Sequence, residues 1–131
     1  MAAMDEIRRS KYISLTTYRK NGTPVPTPVW HVVRDEHELL VVTPADSWKV
    51  KRLRNNSAVT VTVCNARGHT APDAATLSGT ARLLDAAGTE AAQAALAKRY
   101  VLSRIGNAFV KLLRLPKKPN IGIAVTVSSQ N

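Results

Sequence analysis

Cysteine, aromatic residues and long apolar runs are all scarce in this sequence. Cys64 is the single cysteine among 131 residues, which excludes an intramolecular disulfide and makes a buried, unreactive thiol the expected state. No apolar run approaches the length that spans a membrane, and residues 1–10 lack the apolar core of a signal peptide, so we expect a cytoplasmic protein. Length and composition predict one ordinary globular domain over residues 1–131.

Negative charge is also scarce. Nine Asp and Glu residues accompany 19 Lys and Arg residues, a formal net charge of +10, so an anionic partner is expected: nucleic acid, a membrane surface, or a phosphorylated or polycarboxylate small molecule. Aromatic residues make up only 5% of the chain and are dispersed, which argues against a surface that stacks nucleic-acid bases. A specific nucleic-acid partner is therefore not expected, and neither is membrane insertion.

The common catalytic and metal-binding motifs are missing. The chain has no nucleophile elbow, zinc-protease motif, Walker A loop or dinucleotide-binding glycine pattern. His31, His37 and His69 lack a repeated ligand spacing, so no metal site is expected. We expect His37 to lie in a surface turn and His31 in the wall of a groove.

Period-two alternation predicts an antiparallel barrel. Asn21-Gly22 indicates a hairpin turn, and Pro26 and Pro28 place the following strand at an edge, a bulge or a ligand-facing opening. Gly79 indicates a bulge or a close backbone approach. The predicted helices cover residues 86–100, beginning near Gly88-Thr89, and about 103–114; the six predicted strands cover residues 12–18, 25–34, 38–43, 59–63, 76–84 and 121–127. The fold class is thus α+β with a small antiparallel barrel as its core.

A short basic helix is predicted directly after the third strand. Asp46 or Ser47 can cap it. The charged residues of the turns that follow are Lys49, Lys51, Arg52 and Arg54, all cations, which oppose the helix macrodipole. Free N–H groups, a hydroxyl and a lysine at a helix start favour a phosphate or carboxylate site. The alternative is a solvated basic face opposite two inward-packed residues, Val50 and Leu53.

The order of these elements resembles the pyridoxamine 5′-phosphate oxidase-like split β-barrel superfamily, and within it the F420-dependent (deazaflavin-dependent) oxidoreductases. The resemblance covers nearly the whole chain, from about Ile7 to the closing strand. It is carried by Lys-Asn-Gly-Thr-Pro at 20–24, Thr-Pro-Val-Trp at 27–30, and Thr43 followed by Ser-Trp-Lys-Val-Lys-Arg-Leu at 47–53. It implies a six-stranded antiparallel split β-barrel with short peripheral helices, and a homodimer with two cofactor sites built from both chains.

The resemblance also implies site residues. In relatives, the segments that match Thr43 and residues 47–52 hold the cofactor phosphate, and the segment that matches residues 28–30 runs beside the flavin or deazaflavin ring. An alternative for Trp30 is an ordinary strand aromatic that faces the core or an interface. The implied cofactor-binding residues are Thr43, Ser47 and Lys49, with Lys51 and Arg52 as further phosphate candidates, and Pro28, Val29 and Trp30 beside the ring.

F420 is the expected cofactor and FMN is the alternative. F420 carries a phosphodiester and a polyglutamate tail, so the charge of +10 favours it, and a groove continued by Lys51, Arg54, Lys117 or Lys118 would accept the tail. The chain lacks the long C-terminal segment of true pyridoxamine phosphate oxidases, so vitamin B6 oxidation is not expected.

The reaction implied by the resemblance is hydride transfer between F420 and a small organic substrate. Such a reaction needs no protein nucleophile, which agrees with the missing catalytic motifs and leaves no catalytic residue assigned. Two other functions remain open: an FMN-binding flavin oxidoreductase, or a non-enzymatic F420 carrier with the same groove.

Overall fold

The computed structural model describes residues 2–65, 67–101 and 120–127. The helix predicted over 103–114 lies outside the described residues, as do Lys117 and Lys118. In chain order the elements are α1 (Ala2–Arg9), β1 (Tyr12–Tyr18), β2 (Pro24–Val29), β3 (Val32–Val33), β4 (Glu38–Pro44), α2 (Trp48–Asn55), β5 (Ala58–Cys64), β6 (Thr76–Leu83), α3 (Ala86–Val101) and β7 (Asn120–Val127).

The strands form one antiparallel sheet in the order β2-β1-β5-β6-β7-β4-β3. Its end strands, β2 and β3, are separated along the chain only by Trp30 and His31, so the sheet must curl until its two ends meet at this point. The predicted α+β antiparallel barrel is thereby confirmed. The strand count is seven rather than six, because the predicted strand 25–34 bends at Trp30-His31 and pairs with β1 before the bend and with β4 after it.

The hairpin between β1 and β2 begins at the predicted turn. Gly22 has a φ of +88°, which L side chains rarely adopt, and its N–H donates to the Arg19 carbonyl at 2.8 Å. β2 is an end strand of the sheet, as its prolines predicted. Since proline has no N–H, the ladder donors of β2 are the residues between its prolines, and the free edge carries few donors for another strand.

The inner face of the barrel forms the main core. It contains alternate residues of the strands, for example Ile13 and Leu15 of β1. Met4 and Ile7 bring α1 into this core, and Leu53 brings α2 into it. A Cβ on Gly79 would collide with the Thr126 carbonyl, which confirms the predicted close backbone approach between β6 and β7.

Helix α3 packs on the outer face of the sheet. Its Ala92 and Leu96 are fully buried, and Ala92 lies so close to Gly122 of β7 that an added Cβ there would approach it to 3.3 Å. The predicted range of 86–100 is confirmed to within one residue, but the cap signal is not Gly88-Thr89: Asp85 precedes the helix, and its carboxylate accepts the Gly88 N–H at 2.8 Å.

The other outer surface of the sheet, formed by β2, β1, β5 and β6, is almost free of charge. Its strands alternate, so the residues between the core positions share this surface. We call it the uncharged face. It consists of Pro24, Pro26, Pro28, Tyr12, Ser14, Thr16, Tyr18, Ala58, Thr60, Thr62, Cys64, Thr76, Ser78 and Thr80, with Arg82 at its end.

Candidate functional site

Helix α2 begins with a hydroxyl that the described residues do not use. A turn closed by the Ser47 N–H and the Pro44 carbonyl, at 3.1 Å, leads from β4 into the helix. Ser47 occupies the N-cap position with extended backbone angles, but its side chain makes no capping hydrogen bond. Its Oγ is buried and has no hydrogen-bond partner among the described residues. A buried hydroxyl without a partner is costly, so this atom is suited to a ligand.

Two cations lie close to each other beyond Ser47. Lys49 is half-buried, and its pKa is lowered, first by burial and then by the charge of Arg52. The Arg52 Nε donates to the Thr17 hydroxyl at 2.7 Å, which fixes the guanidinium at the end of β1. The first turn of α2 contains no acidic residue to offset them. An anion here would relieve both the desolvation of Lys49 and the repulsion between the two cations.

The remaining phosphate candidates are placed differently. Thr43 is 4% exposed on the core-facing side of β4, near the turn that precedes α2. The Lys51 ammonium lies 4.3 Å from the centre of the Trp48 ring. Val50 and Leu53 are buried, so the packing that the solvated-face alternative required is present as well.

A cavity of about 440 Å³ separates α2 from the β1–β2 turn, and we call it the turn–helix cavity. Sequence reasoning found two of its residues, Lys51 and Arg52, but missed the others. The turn residues were interpreted as a hairpin signal and as part of the family resemblance, but not as site residues. The spacing of 48, 51, 52 and 55 on one helix face was the signal that could have added Trp48 and Asn55. The lining residues are Arg19, Lys20, Trp48, Lys51, Arg52 and Asn55.

The three residues expected beside the cofactor ring lie on two different faces of the chain. Val29 packs against the barrel core, so only its backbone is open to a ligand. Pro28 is exposed and lies opposite Ser14, three residues along β1 from Thr17, which corresponds to about 10 Å. Trp30 packs against Leu96 of α3, and its ring centre lies 6.5 Å from that of Tyr12. One protomer therefore brings Ser47, Lys49 and Arg52 together, but leaves Trp30 at the opposite end of β1.

The histidines contribute little to this site. His31 is fully buried rather than part of a groove wall, so that expectation is wrong: its Nε2 lies 2.7 Å from the Ile7 carbonyl, to which a neutral ring donates. Burial lowers its pKa to about 4. His37 lies exposed in the predicted turn. Among the described residues, no group of three or more His, Cys, Asp or Glu side chains could hold a metal ion.

Two further expectations concern the surface of the molecule. Cys64 is half-buried at the end of β5 rather than buried, and burial raises the pKa of its thiol. In the described part of the chain, no helix has both the length and the apolar character needed to cross a membrane.

The fold agrees with a family comparison. The model of the pyridoxamine 5′-phosphate oxidase family matches residues 2–129. The chain belongs to this family. Members of the family have the split-barrel, oxidoreductase-type fold that the sheet order describes. A search of curated proteins finds no match to the chain.

Solved structures with the same fold differ in what they are described as doing. An F420 reductase is 22% identical, with a TM-score of 0.61, over 95% of this chain and 92% of its own. The heme storage protein of Vibrio cholerae is 14% identical, with a TM-score of 0.68, over 96% of this chain and 87% of its own. A conserved hypothetical protein of Mycobacterium tuberculosis is 19% identical, with a TM-score of 0.70, over 98% and 79% of the two chains. At these identities the likeness shows the fold alone.

Proposed function

We propose that the protein is a homodimeric F420-dependent oxidoreductase that transfers a hydride between the deazaflavin and a small organic substrate. Family membership supports an oxidoreductase in general. The observation that carries the proposal is the start of α2, where the buried Ser47 hydroxyl lacks a partner beside two adjacent cations. F420 is the preferred cofactor because it is the more anionic of the two candidates and the chain has a charge of +10.

The residues present fit a phosphorylated cofactor. The Ser47 hydroxyl and the first N–H groups of α2 would donate to the phosphate, and Lys49 and Arg52 would neutralise it. Thr43 would border the phosphate from the end of β4. The segment 28–30 would run beside the ring, with Pro28 about 10 Å along β1 from the residue that holds Arg52, a gap that a ribityl phosphate can bridge.

When bound in its reduced form, the deazaflavin supplies the hydride. The protein then has to hold the ring, exclude water and orient the substrate. Pro28 provides a rigid, exposed apolar surface, and an added Cβ on Gly68 would pack against it at 3.4 Å, so Gly68 lies close to this strand. No residue is assigned to proton transfer.

The uncharged face supports the homodimer. Two copies with a charge of +10 each repel one another, so close association is least opposed where charged residues are few. The uncharged face meets this condition, and the prolines of β2 oppose edge-to-edge strand pairing in favour of contact between faces. We place two cofactor sites at this interface, each built from both chains.

Cofactor titration tests the proposal. F420 fluorescence, followed as protein is added, should reveal a Kd of tens of micromolar or tighter, and sedimentation of the same mixture should show a dimer. Tight binding of FMN without binding of F420 would overturn the cofactor choice. A monomer that nevertheless binds F420 fully would overturn the shared site.

Turnover separates the enzyme from a carrier. Reduced F420 should be oxidised in the presence of at least one member of a panel of quinones, enones and tetrapyrroles, with loss of the substrate in equal amount. Tight F420 binding with no oxidation by any member of the panel would favour the non-enzymatic carrier.

A further inference from the structure

The turn–helix cavity shares Arg52 with the proposed cofactor site, but Ser47 and Lys49 do not line it. It opens between the β1–β2 turn and α2 and has a volume of about 440 Å³, which is enough for a nucleotide-sized molecule. The turn is fixed by its own backbone: the Arg19 N–H donates to the Thr23 carbonyl at 3.0 Å, and the Gly22 N–H donates to the Arg19 carbonyl. The cavity is therefore bounded on both sides by regular structure.

Four cations line this cavity without a carboxylate among them: Arg19, Lys20, Lys51 and Arg52. The ion pairs formed within the described part of the chain use other cations, namely Arg8, Arg34 and Arg82. The charge of Arg19 contributes to the lowered pKa of Arg52, after burial, so these groups are close enough to repel one another. A multiply charged anion would remove this repulsion.

The cavity also contains an exposed aromatic ring. Trp48 is 70% exposed, and it is the large hydrophobic side chain that the described residues leave most open to solvent. The Lys51 ammonium covers one side of the ring at 4.3 Å. A planar ligand that stacked on the exposed indole surface would bury apolar area and keep its charged groups beside the four cations.

Helix geometry separates this cavity from the proposed phosphate position. Residues 48, 51, 52 and 55 follow the spacing of one helix face and all line the cavity, whereas Ser47 and Lys49 do not line it. Arg52 lies between the two regions and is held there by Thr17. The two regions can therefore bind different molecules.

We propose that the turn–helix cavity binds an organic anion that combines a planar ring with two or more negative charges, as a nucleoside diphosphate does. This binding does not require the proposed cofactor function. The ring would stack on Trp48, and the charged groups would contact Arg19, Lys20 and Lys51.

Calorimetric titration with ADP at low salt tests the proposal, with pyrophosphate as the anion without a ring and adenosine as the ring without charge. ADP should bind with a micromolar Kd, and each of the two fragments at least tenfold more weakly. Trp48→Ala and Lys20→Ala should each weaken ADP binding at least fivefold, because each removes one of the two kinds of contact. Lys98→Ala, which removes an exposed cation from α3, should leave the Kd unchanged.

Several results would overturn the proposal. If pyrophosphate bound as tightly as ADP, charge alone would explain the binding, and the cavity would be only a diffuse cationic surface. Equal losses in Lys98→Ala and Lys20→Ala would lead to the same conclusion. Displacement of ADP by F420 in strict competition would assign the cavity to the cofactor, and a random oligonucleotide that bound far more tightly than ADP would indicate nucleic acid instead.

Discussion

Helices α2 and α3 each carry a buried hydroxyl in or beside their first turn, and the two hydroxyls differ in what they contact. In α3, the Thr89 Oγ1 accepts the Gly122 N–H at 2.9 Å, and Asp85 caps the helix. In α2, the Ser47 Oγ makes no capping bond and has no partner among the described residues. The Thr89 hydroxyl is thus satisfied within the fold, whereas the Ser47 hydroxyl is not satisfied by any described residue.

The apolar residues of the two helices follow the same division. α3 lies along the sheet with Ala92 and Leu96 fully buried, while α2 buries Val50 and Leu53 and keeps Trp48 70% exposed. The comparison teaches that α3 packs closely on the barrel, whereas α2 keeps an unsatisfied hydroxyl and an exposed ring, as the proposed binding role requires. Substitutions in α3 should therefore change the free energy of unfolding, and substitutions in α2 should change affinity.

The largest expected effect is on stability, from Leu96→Ala in α3. Leu96 is 1% exposed and packs against Trp30, so its truncation removes buried contacts and leaves a cavity. We expect a loss of about 2–5 kcal/mol in the free energy of unfolding, measured by urea denaturation. Lys98→Ala on the exposed side of the same helix should change it by less than about 0.5 kcal/mol. Equal losses in the two variants would contradict the role given to α3.

The next effect depends on pH and concerns His31, which lies beneath the bend between β2 and β3. Its folded pKa of about 4 lies below the usual value of 6.5 for a histidine, so the unfolded chain binds the proton more readily. Its contribution to stability is complete above pH 6.5 and is lost as the pH falls towards 4, by about 3 kcal/mol in total. The unfolding free energy of His31→Gln should lack this part of the pH dependence. His37→Gln, at an exposed position, should keep it.

A smaller effect is expected from Thr89→Val, which removes the hydroxyl and keeps the shape. The buried Gly122 N–H would lose its acceptor, so the free energy of unfolding should fall by about 1–3 kcal/mol. Chemical denaturation measures this directly. A variant as stable as the wild type would show that the hydroxyl does not contribute to the packing of α3.

The smallest effect on stability is expected from Ser47→Ala. An N-cap serine normally contributes about 0.5–2 kcal/mol, but the Ser47 side chain makes no capping bond, so the ligand-free protein should change by less than about 0.5 kcal/mol. The rise in Tm caused by F420 should nevertheless become smaller. A large loss of stability without any ligand would mean that the hydroxyl has a structural partner.

Most of the fold was predictable from local patterns. Alternation identified the strands, Asn21-Gly22 identified the first hairpin, and Gly79 indicated a close backbone approach. The break at Trp30-His31 was not predictable, because it arises where the sheet closes and depends on strands far apart in the sequence. The range of α3 was predictable, but its cap was assigned to Gly88-Thr89 instead of Asp85, because both are good cap signals within the same short segment.

The candidate site was predictable only in part. Cations near the start of α2 were visible from the sequence, since they oppose the helix dipole. The sequence did not predict which of these cations share a surface. Lys51 lines the turn–helix cavity and Lys49 does not, and Arg19 and Lys20 reach the cavity from a distant turn. The burial of His31 was likewise set by α1, which supplies the Ile7 carbonyl.

The affinity of Lys49→Ala for F420 tests the central claim most directly. A charged hydrogen bond to the phosphate contributes about 1.5–3 kcal/mol, so the variant should bind F420 roughly 10–150-fold more weakly at low salt. Its free energy of unfolding should not fall, because the substitution removes a half-buried cation beside Arg52. Lys51→Ala should lose less, and Lys98→Ala should lose nothing. An unchanged Kd in a folded, dimeric Lys49→Ala would contradict the claim that the start of α2 binds the cofactor phosphate.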